Sequence, residues 1–222
     1  MRRTFRVALL ASLVLSGAAV FYLSYLSPRA LRSQWVEQFV RHYQSNLAPR
    51  RMKAADCDRL LARARLMVES EIRYVADYVE IPFPEGDVAP DTGVCADVVV
   101  RSFREIGIDL QERVNRELKR DFASSPQIWG LEGPDTNIDH RRVPNLMWYF
   151  TREWSRRPLS EDNQDYRRCD VVAWDLGGGV THIGIVSGVD ANGETQLIHH
   201  LAEHPQEQAV LRRWRIIGHF AY

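Results

Sequence analysis

A cysteine acts as a nucleophile only as its thiolate, and three residues of this chain have the types and order needed to make one. Cys95 opens the helical stretch Val94-Cys95-Ala96-Asp97-Val98-Val99-Val100-Arg101-Ser102-Phe103, which follows the turn-forming run Pro90-Asp91-Thr92-Gly93. The positive end of that helix favours thiolate over thiol. A nearby imidazole can hold the proton, and a third polar group can fix the tautomer and orientation of that imidazole. His182 begins the β-rich run Thr181-His182-Ile183-Gly184-Ile185-Val186-Ser187, and Gln196-Leu197-Ile198-His199-His200 returns after the hairpin signal Asn192-Gly193. Antiparallel neighbours bring side chains to about 5 Å on one face, so a histidine of the second strand can meet His182. Alternation sends His199 and His200 to opposite faces, and only one of them can do so. Backbone N–H groups at the start of the Cys95 helix would hold a developing oxyanion. The bland alternatives are a core cysteine and structural histidines, which taken one at a time are commoner.

The elements that must position these residues fall in a definite order. Trp35, Phe39, Tyr43 and Leu47 recur at a spacing of four, with Val36 and Val40 beside them, which predicts a helix over Leu31–Leu47 ended by Ala48-Pro49. Leu60, Leu61, Ala64, Met67, Val68, Ile72, Val75 and Val79 keep a 3.6-residue period and predict a second helix over Ala54–Val79, with Cys57 on its buried side. Pro82, Pro84 and Gly86 make the following loop. The Cys95 helix stops at Gly107; a short helix follows around Val114, Leu118 and Phe122, and another over Val143–Trp154 with Pro144 in its first turn. From Cys169 the pattern changes to strands: Val171–Trp174, the hairpin already described, and Trp214–Tyr222. Helices first and an antiparallel sheet second is an α+β plan.

The start of the chain bears on compartment. Arg2, Arg3 and Arg6 precede an uncharged run from Val7 to Leu26, long enough for a bilayer-spanning helix of about 20 residues. The small residues Ser16-Gly17-Ala18-Ala19 inside it leave signal-peptide cleavage open. Either way the arginines stay inside and the remainder is exported. The expected organisation is a signal anchor or signal peptide over 1–26, a juxtamembrane helix over 27–53 and a globular domain over 54–222. The domain would be periplasmic, held at the inner membrane by residues 7–26 or released after cleavage. Twenty-nine Lys and Arg balance 29 Asp and Glu, without the cationic excess of a dedicated nucleic-acid binder. Three cysteines in an exported chain suit one disulfide and one free thiol. His200, His204 and His219 lack the spacing of a zinc site, and neither a metal nor another cofactor is expected.

Several stretches resemble the bacterial DUF1287 family. They are Gly86-Asp87-Val88, Thr92 to Arg101, Gly107-Ile108-Asp109-Leu110-Gln111, Pro134 to Leu146 with its Ile138-Asp139-His140-Arg141-Arg142-Val143-Pro144-Asn145 core, His182 to Val186, and Gly218-His219-Phe220. The resemblance spans roughly residues 60–222. That family is in turn similar to the NlpC/P60-like papain superfamily, in which a Cys at a helix start, a His on a strand and a polar residue on the next strand form the active site. The resemblance therefore implies a papain-like α+β fold, Cys95 as nucleophile, His182 as base and His199 as the third residue. It implies cell-wall peptides as the substrate class, with acyl transfer as a variant chemistry. His199-His200 stands where the family leads one to expect His-Asn, so the third position is His199 or His200. Cys169 stands where a Gly is expected before Asp170, and with the extra Cys57 this implies a Cys57–Cys169 disulfide that leaves Cys95 free.

Asp139, His140, Arg141 and Arg142 are the candidate substrate-binding residues, since guanidinium forks bind carboxylates bidentately. The competing reading is an Asp139–Arg142 ion pair that fixes the loop. The function expected is cysteine hydrolysis of cell-wall peptide amides. The alternative is a non-catalytic envelope module on the same fold that binds peptidoglycan or a protein partner.

Overall fold

The computed structural model of the chain describes residues 29–43, 52–201 and 203–222. The segment 1–26 lies outside them, as does the end of the Leu31–Leu47 helix. Within them the order is helices, then sheet. Helix α1 covers residues 29–42. It is followed by α2 (Ala54–Val68), α3 (Cys95–Arg104), α4 (Leu110–Arg120) and α5 (Val143–Glu153). Two short strands, β1 (Arg73–Tyr74) and β2 (Thr92–Gly93), pair in parallel between α2 and α3. The main sheet takes β3 (Ser155–Arg156), β4 (Val171–Asp175), β5 (Thr181–Val189), β6 (Thr195–His199), β7 (Gln206–Gln208) and β8 (Arg215–Ala221) in the order β3-β8-β4-β5-β6-β7, with every pairing antiparallel.

One expectation about the helices is corrected. The second helix stops at Val68 and does not run on to Val79. The apolar period of Ile72, Val75 and Val79 persists in sequence, but the chain has turned extended there. Arg73 and Tyr74 pair with Thr92 and Gly93, and Val79 is exposed. That pairing ties Tyr74 to the residues immediately ahead of Cys95.

The sheet is covered on both faces. On the helix side Val171, Ala173, Ile183, Ile185, Ile198, Ile217 and Phe220 join a core with Leu60, Leu61, Val99, Phe103, Leu146 and Phe150. On the other side Val172, Trp174, Val186 and Leu197 pack with Tyr166, Val210, Leu211 and Trp214. The Trp174 indole N–H donates to the Leu211 carbonyl at 3.0 Å, which satisfies its polar end.

Helix α1 docks on this body through its apolar stripe. Val36 is buried, and Trp35, Phe39 and Tyr43 run in a ladder that ends on Phe220. The Tyr43 hydroxyl donates to backbone carbonyls of Arg157 and His219, and Glu37 pairs with Arg215. Its first turn rests on Gly179, which adopts φ +77°, and a Cβ there would lie 2.6 Å from Cβ of Arg32. A glycine is thus required twice over, for its left-handed backbone and for the close approach of α1.

Candidate active site

Cys95 sits in the first turn of α3, 6% exposed. The carboxylate of Asp97 accepts the Val94 backbone N–H at 2.7 Å and so caps the helix just ahead of the thiol. Burial pushes the Cys95 thiol up to about 12, and the charge of Asp97 adds to this; hydrogen bonding from the backbone at Ile183, Ala96 and Cys95 itself acts in the opposite direction. The sulfur therefore faces backbone donors both at the helix start and on β5, one residue beyond His182.

The hairpin brings His182 and His199 together. His182 Nε2 lies 3.0 Å from His199 Nδ1. The two rings meet edge to face, and Gly184 opposite His199 provides the room: a Cβ on Gly184 would lie 3.1 Å from Cβ of His199. His182 stacks on Trp174 and meets Trp214 edge-on, so it belongs to the second cluster, whereas its neighbour Ile183 packs in the helix-side core with Cys95. Among the described residues no hydrogen bond joins Cys95 to His182. Burial lowers the His182 pKa to about 3, with the neighbouring histidines contributing. Thiol and imidazole are both neutral at pH 7. His200 is buried with its ring edge on Tyr74, on the opposite face from His199 as strand alternation requires.

The loop Asp139-His140-Arg141-Arg142 is a short 3₁₀ turn whose first three side chains are buried. Arg141 Nε and Nη2 each donate at 2.9 Å to the two oxygens of Asp97, with both side chains almost wholly buried. Arg142 pairs with Asp139 at 3.1 Å and stacks over Trp129, with its guanidinium 4.4 Å from the ring centre. Asp139 also accepts the Asp135 backbone N–H and the Asn145 amide. Burial raises the Asp139 pKa and lowers that of His140 to about 4. Of the two arrangements left open by the sequence, the Asp139–Arg142 pair is present, and Arg141 has a carboxylate of its own.

Cys95, Arg141 and Arg142 nevertheless border one open cleft of about 240 Å³, together with Tyr74, Trp129, Thr181 and Arg32. Tyr74, Trp129, Arg32 and the glycine run Gly177–Gly179 beside Thr181 were not apparent as site residues. Three consecutive glycines ending three residues before His182 were the available signal for a close approach at that edge.

Cys57 of α2 and Cys169, just before β4, are joined by a disulfide with their Cα atoms 5.8 Å apart, and Cys95 is the free thiol. Cys169 adopts φ +69°, the left-handed conformation usually given to glycine. His219 is fully buried between Asp170 and the Pro158 carbonyl. Among the described residues no three His, Cys, Asp or Glu side chains are grouped to hold a metal ion. No helix among them is long and apolar enough to cross a membrane.

The residues shared with the resemblance have visible work in this architecture. Arg101 forks onto Asp87, and the Gln111 amide accepts from Gly86 and donates to the carbonyls of Pro82 and Thr136. These bonds fasten the loop before β2 to α3 and α4. The molecule is an α+β domain with a buried thiol at a helix start beside a paired-histidine hairpin. Over residues 61–222 it matches the family described as domain of unknown function DUF1287, and it belongs to that family. It is 44% identical over 160 residues, 72% of this chain and 78% of the relative, to the uncharacterized protein YijF of Escherichia coli strain K12. No solved structure matches it.

Proposed function

We propose that the chain is an exported cysteine hydrolase of papain-like, NlpC/P60 type that cleaves amide bonds of cell-wall peptides. In this reading it is held at the inner membrane by residues 7–26, or set free in the periplasm after cleavage. The observation that carries the reading is the placement of Cys95: a helix-start thiol on an open cleft, with backbone donors at the sulfur and the paired histidines beginning one residue from the nearest of them. His199 engages Nε2 of His182, so Nδ1 is the nitrogen left to take the thiol proton. As the sulfur attacks the scissile carbonyl carbon, that proton has to cross from the helix side of β5 to His182 on its other face, and the backbone N–H groups receive the oxyanion. The C–N bond then breaks, the amine leaves with the proton from His182, and water hydrolyses the thioester. Neutral partners at rest mean that proton transfer accompanies the attack on bound substrate and does not precede it.

The same neutrality, with no bond from thiol to imidazole, favours a second reading: a non-catalytic module binding peptidoglycan or a protein partner on the same fold. Digestion of purified muropeptides separates the two. The hydrolase reading expects new amine termini with the wild-type protein and none with Cys95→Ala or His182→Ala, both still folded. Binding of muropeptides by wild type and Cys95→Ala alike, with no cleavage by either, would establish the module.

A further inference from the structure

We infer that α1 completes the cleft and that Arg32 is the residue that binds a carboxylate of the peptide lying beside Cys95; this rests on the peptide reading above. Three guanidiniums border the cleft. Arg141 spends its fork on Asp97, and Arg142 is paired with Asp139 and stacked on Trp129. Arg32 has neither a carboxylate nor a hydrogen-bond partner among the described residues, and its Nε is buried without an acceptor. A buried donor left unsatisfied costs about 1–3 kcal/mol, which a ligand oxygen would recover. A planar carboxylate matches the guanidinium fork, and Trp129, Ile128, Val143 and Pro144 supply apolar wall beside it. Among the described residues the cleft thus offers one positive charge without a carboxylate partner, which suits a ligand residue bearing a single carboxylate.

Arg32 is placed firmly. The backbone of α1 touches Gly179, and Tyr43 and Glu37 pin the far part of the helix to β8 and to the Arg157 carbonyl. This helix lies ahead of the family match, which begins at residue 61. Recognition of the carboxylate would accordingly rest on a residue outside the family match.

The test uses the full chain in detergent and two probes, N-acetyl-alanyl-alanine and its C-terminal amide, with affinities measured by calorimetry or ligand-observed NMR. Wild type should prefer the carboxylate over the amide by about tenfold, equivalent to roughly 1.4 kcal/mol. Arg32→Ala should bring the ratio close to one without moving the melting temperature, and Arg32→Lys should keep part of it. Equal affinities in wild type, no binding of either probe, or an undiminished preference in Arg32→Ala would overturn the inference. A preference abolished by Arg142→Ala but not by Arg32→Ala would assign the carboxylate to Arg142 instead. Inorganic phosphate competing as well as the carboxylate probe would show a general anion site and overturn the peptide assignment. Muropeptide cleavage does not enter this readout, so failure of the hydrolase reading is seen separately.

Discussion

Replacing Arg141 by Ala tests whether the guanidinium beside the cleft is architecture or recognition. In the wild type its two N–H donors meet both oxygens of Asp97 at 2.9 Å, and Asp97 is itself bonded to the Val94 N–H that precedes Cys95. The truncation leaves a buried carboxylate with no cation. Removing one partner of a buried pair costs about 3–5 kcal/mol, because the remaining charge stays desolvated. For a chain of this size each kcal/mol lowers the melting temperature by about 2–4 °C, so a fall of roughly 10 °C is expected. Urea unfolding at pH 7.5, with the disulfide intact, should show an earlier midpoint and an unchanged slope. Combining Arg141→Ala with Asp97→Ala should cost less than the sum of the two single changes by about 0.5–3 kcal/mol. An Arg141→Ala protein within about 0.5 kcal/mol of wild type that had nonetheless lost peptide binding would refute this reasoning and return Arg141 to the substrate.

Three further outcomes follow from buried chemistry. Opening the bridge between Cys57 and Cys169, 112 residues apart, with Ser at both positions should cost about 4–5 kcal/mol in equilibrium unfolding; a loss below about 1 kcal/mol would mean that the long loop is already constrained in the unfolded chain. His182 and His140 are held neutral, so the unfolded chain takes up protons that the folded one refuses. Their contribution, about 3 kcal/mol for His140 and about 5 kcal/mol for His182, is fully present above pH 6.5 and is lost as pH falls toward 4 for His140 and 3 for His182. Urea midpoints measured from pH 7 to 5 should decline and His182→Gln should flatten the slope; a level wild-type profile would contradict the burial argument. With a thiol near 12, about one Cys95 in ten thousand is thiolate at pH 8, and iodoacetamide labelling followed by mass spectrometry should be slow and climb tenfold per pH unit beyond pH 9; a plateau below pH 7 would show a preformed thiolate.

What the sequence made legible is what local chemistry encodes. The 3.6-residue stripes located the helices, the short apolar run Val171–Trp174 and the β-rich run Thr181–Ser187 located β4 and β5, and Asn192-Gly193 brought the His199 strand back beside His182. The edge strands escaped because Gln206-Glu207-Gln208 and Ser155-Arg156 bury no alternating apolar face and are held by pairing alone. The overlong second helix has a similar cause, since Ile72, Val75 and Val79 keep a helical phase while the chain is drawn into the parallel pair with β2. The partner of Arg141 was illegible because Asp97 lies 44 residues away and reaches it only once α3 and the 3₁₀ turn have packed.

The remaining gap concerns the two faces of one strand, and it defines the chemical question. Ile183 and Ile185 must face the helices to build the main core, and alternation then commits His182 to the tryptophan side. Cys95, on the helix side, reaches the backbone of that strand at Ile183. A thiol and an imidazole so arranged lie on opposite faces of β5 and are separately desolvated, and each is kept neutral by its own surroundings. In the proposed hydrolase, activation would have to come from a ligand filling the cleft at Thr181, where the strand begins. A ligand anchored on Arg32 would sit at that edge, exclude the remaining water and present its carbonyl to the backbone donors, so that attack and proton transfer occur in one step. A thiol kept neutral until substrate arrives would also be protected from oxidation, since thiolate character governs susceptibility.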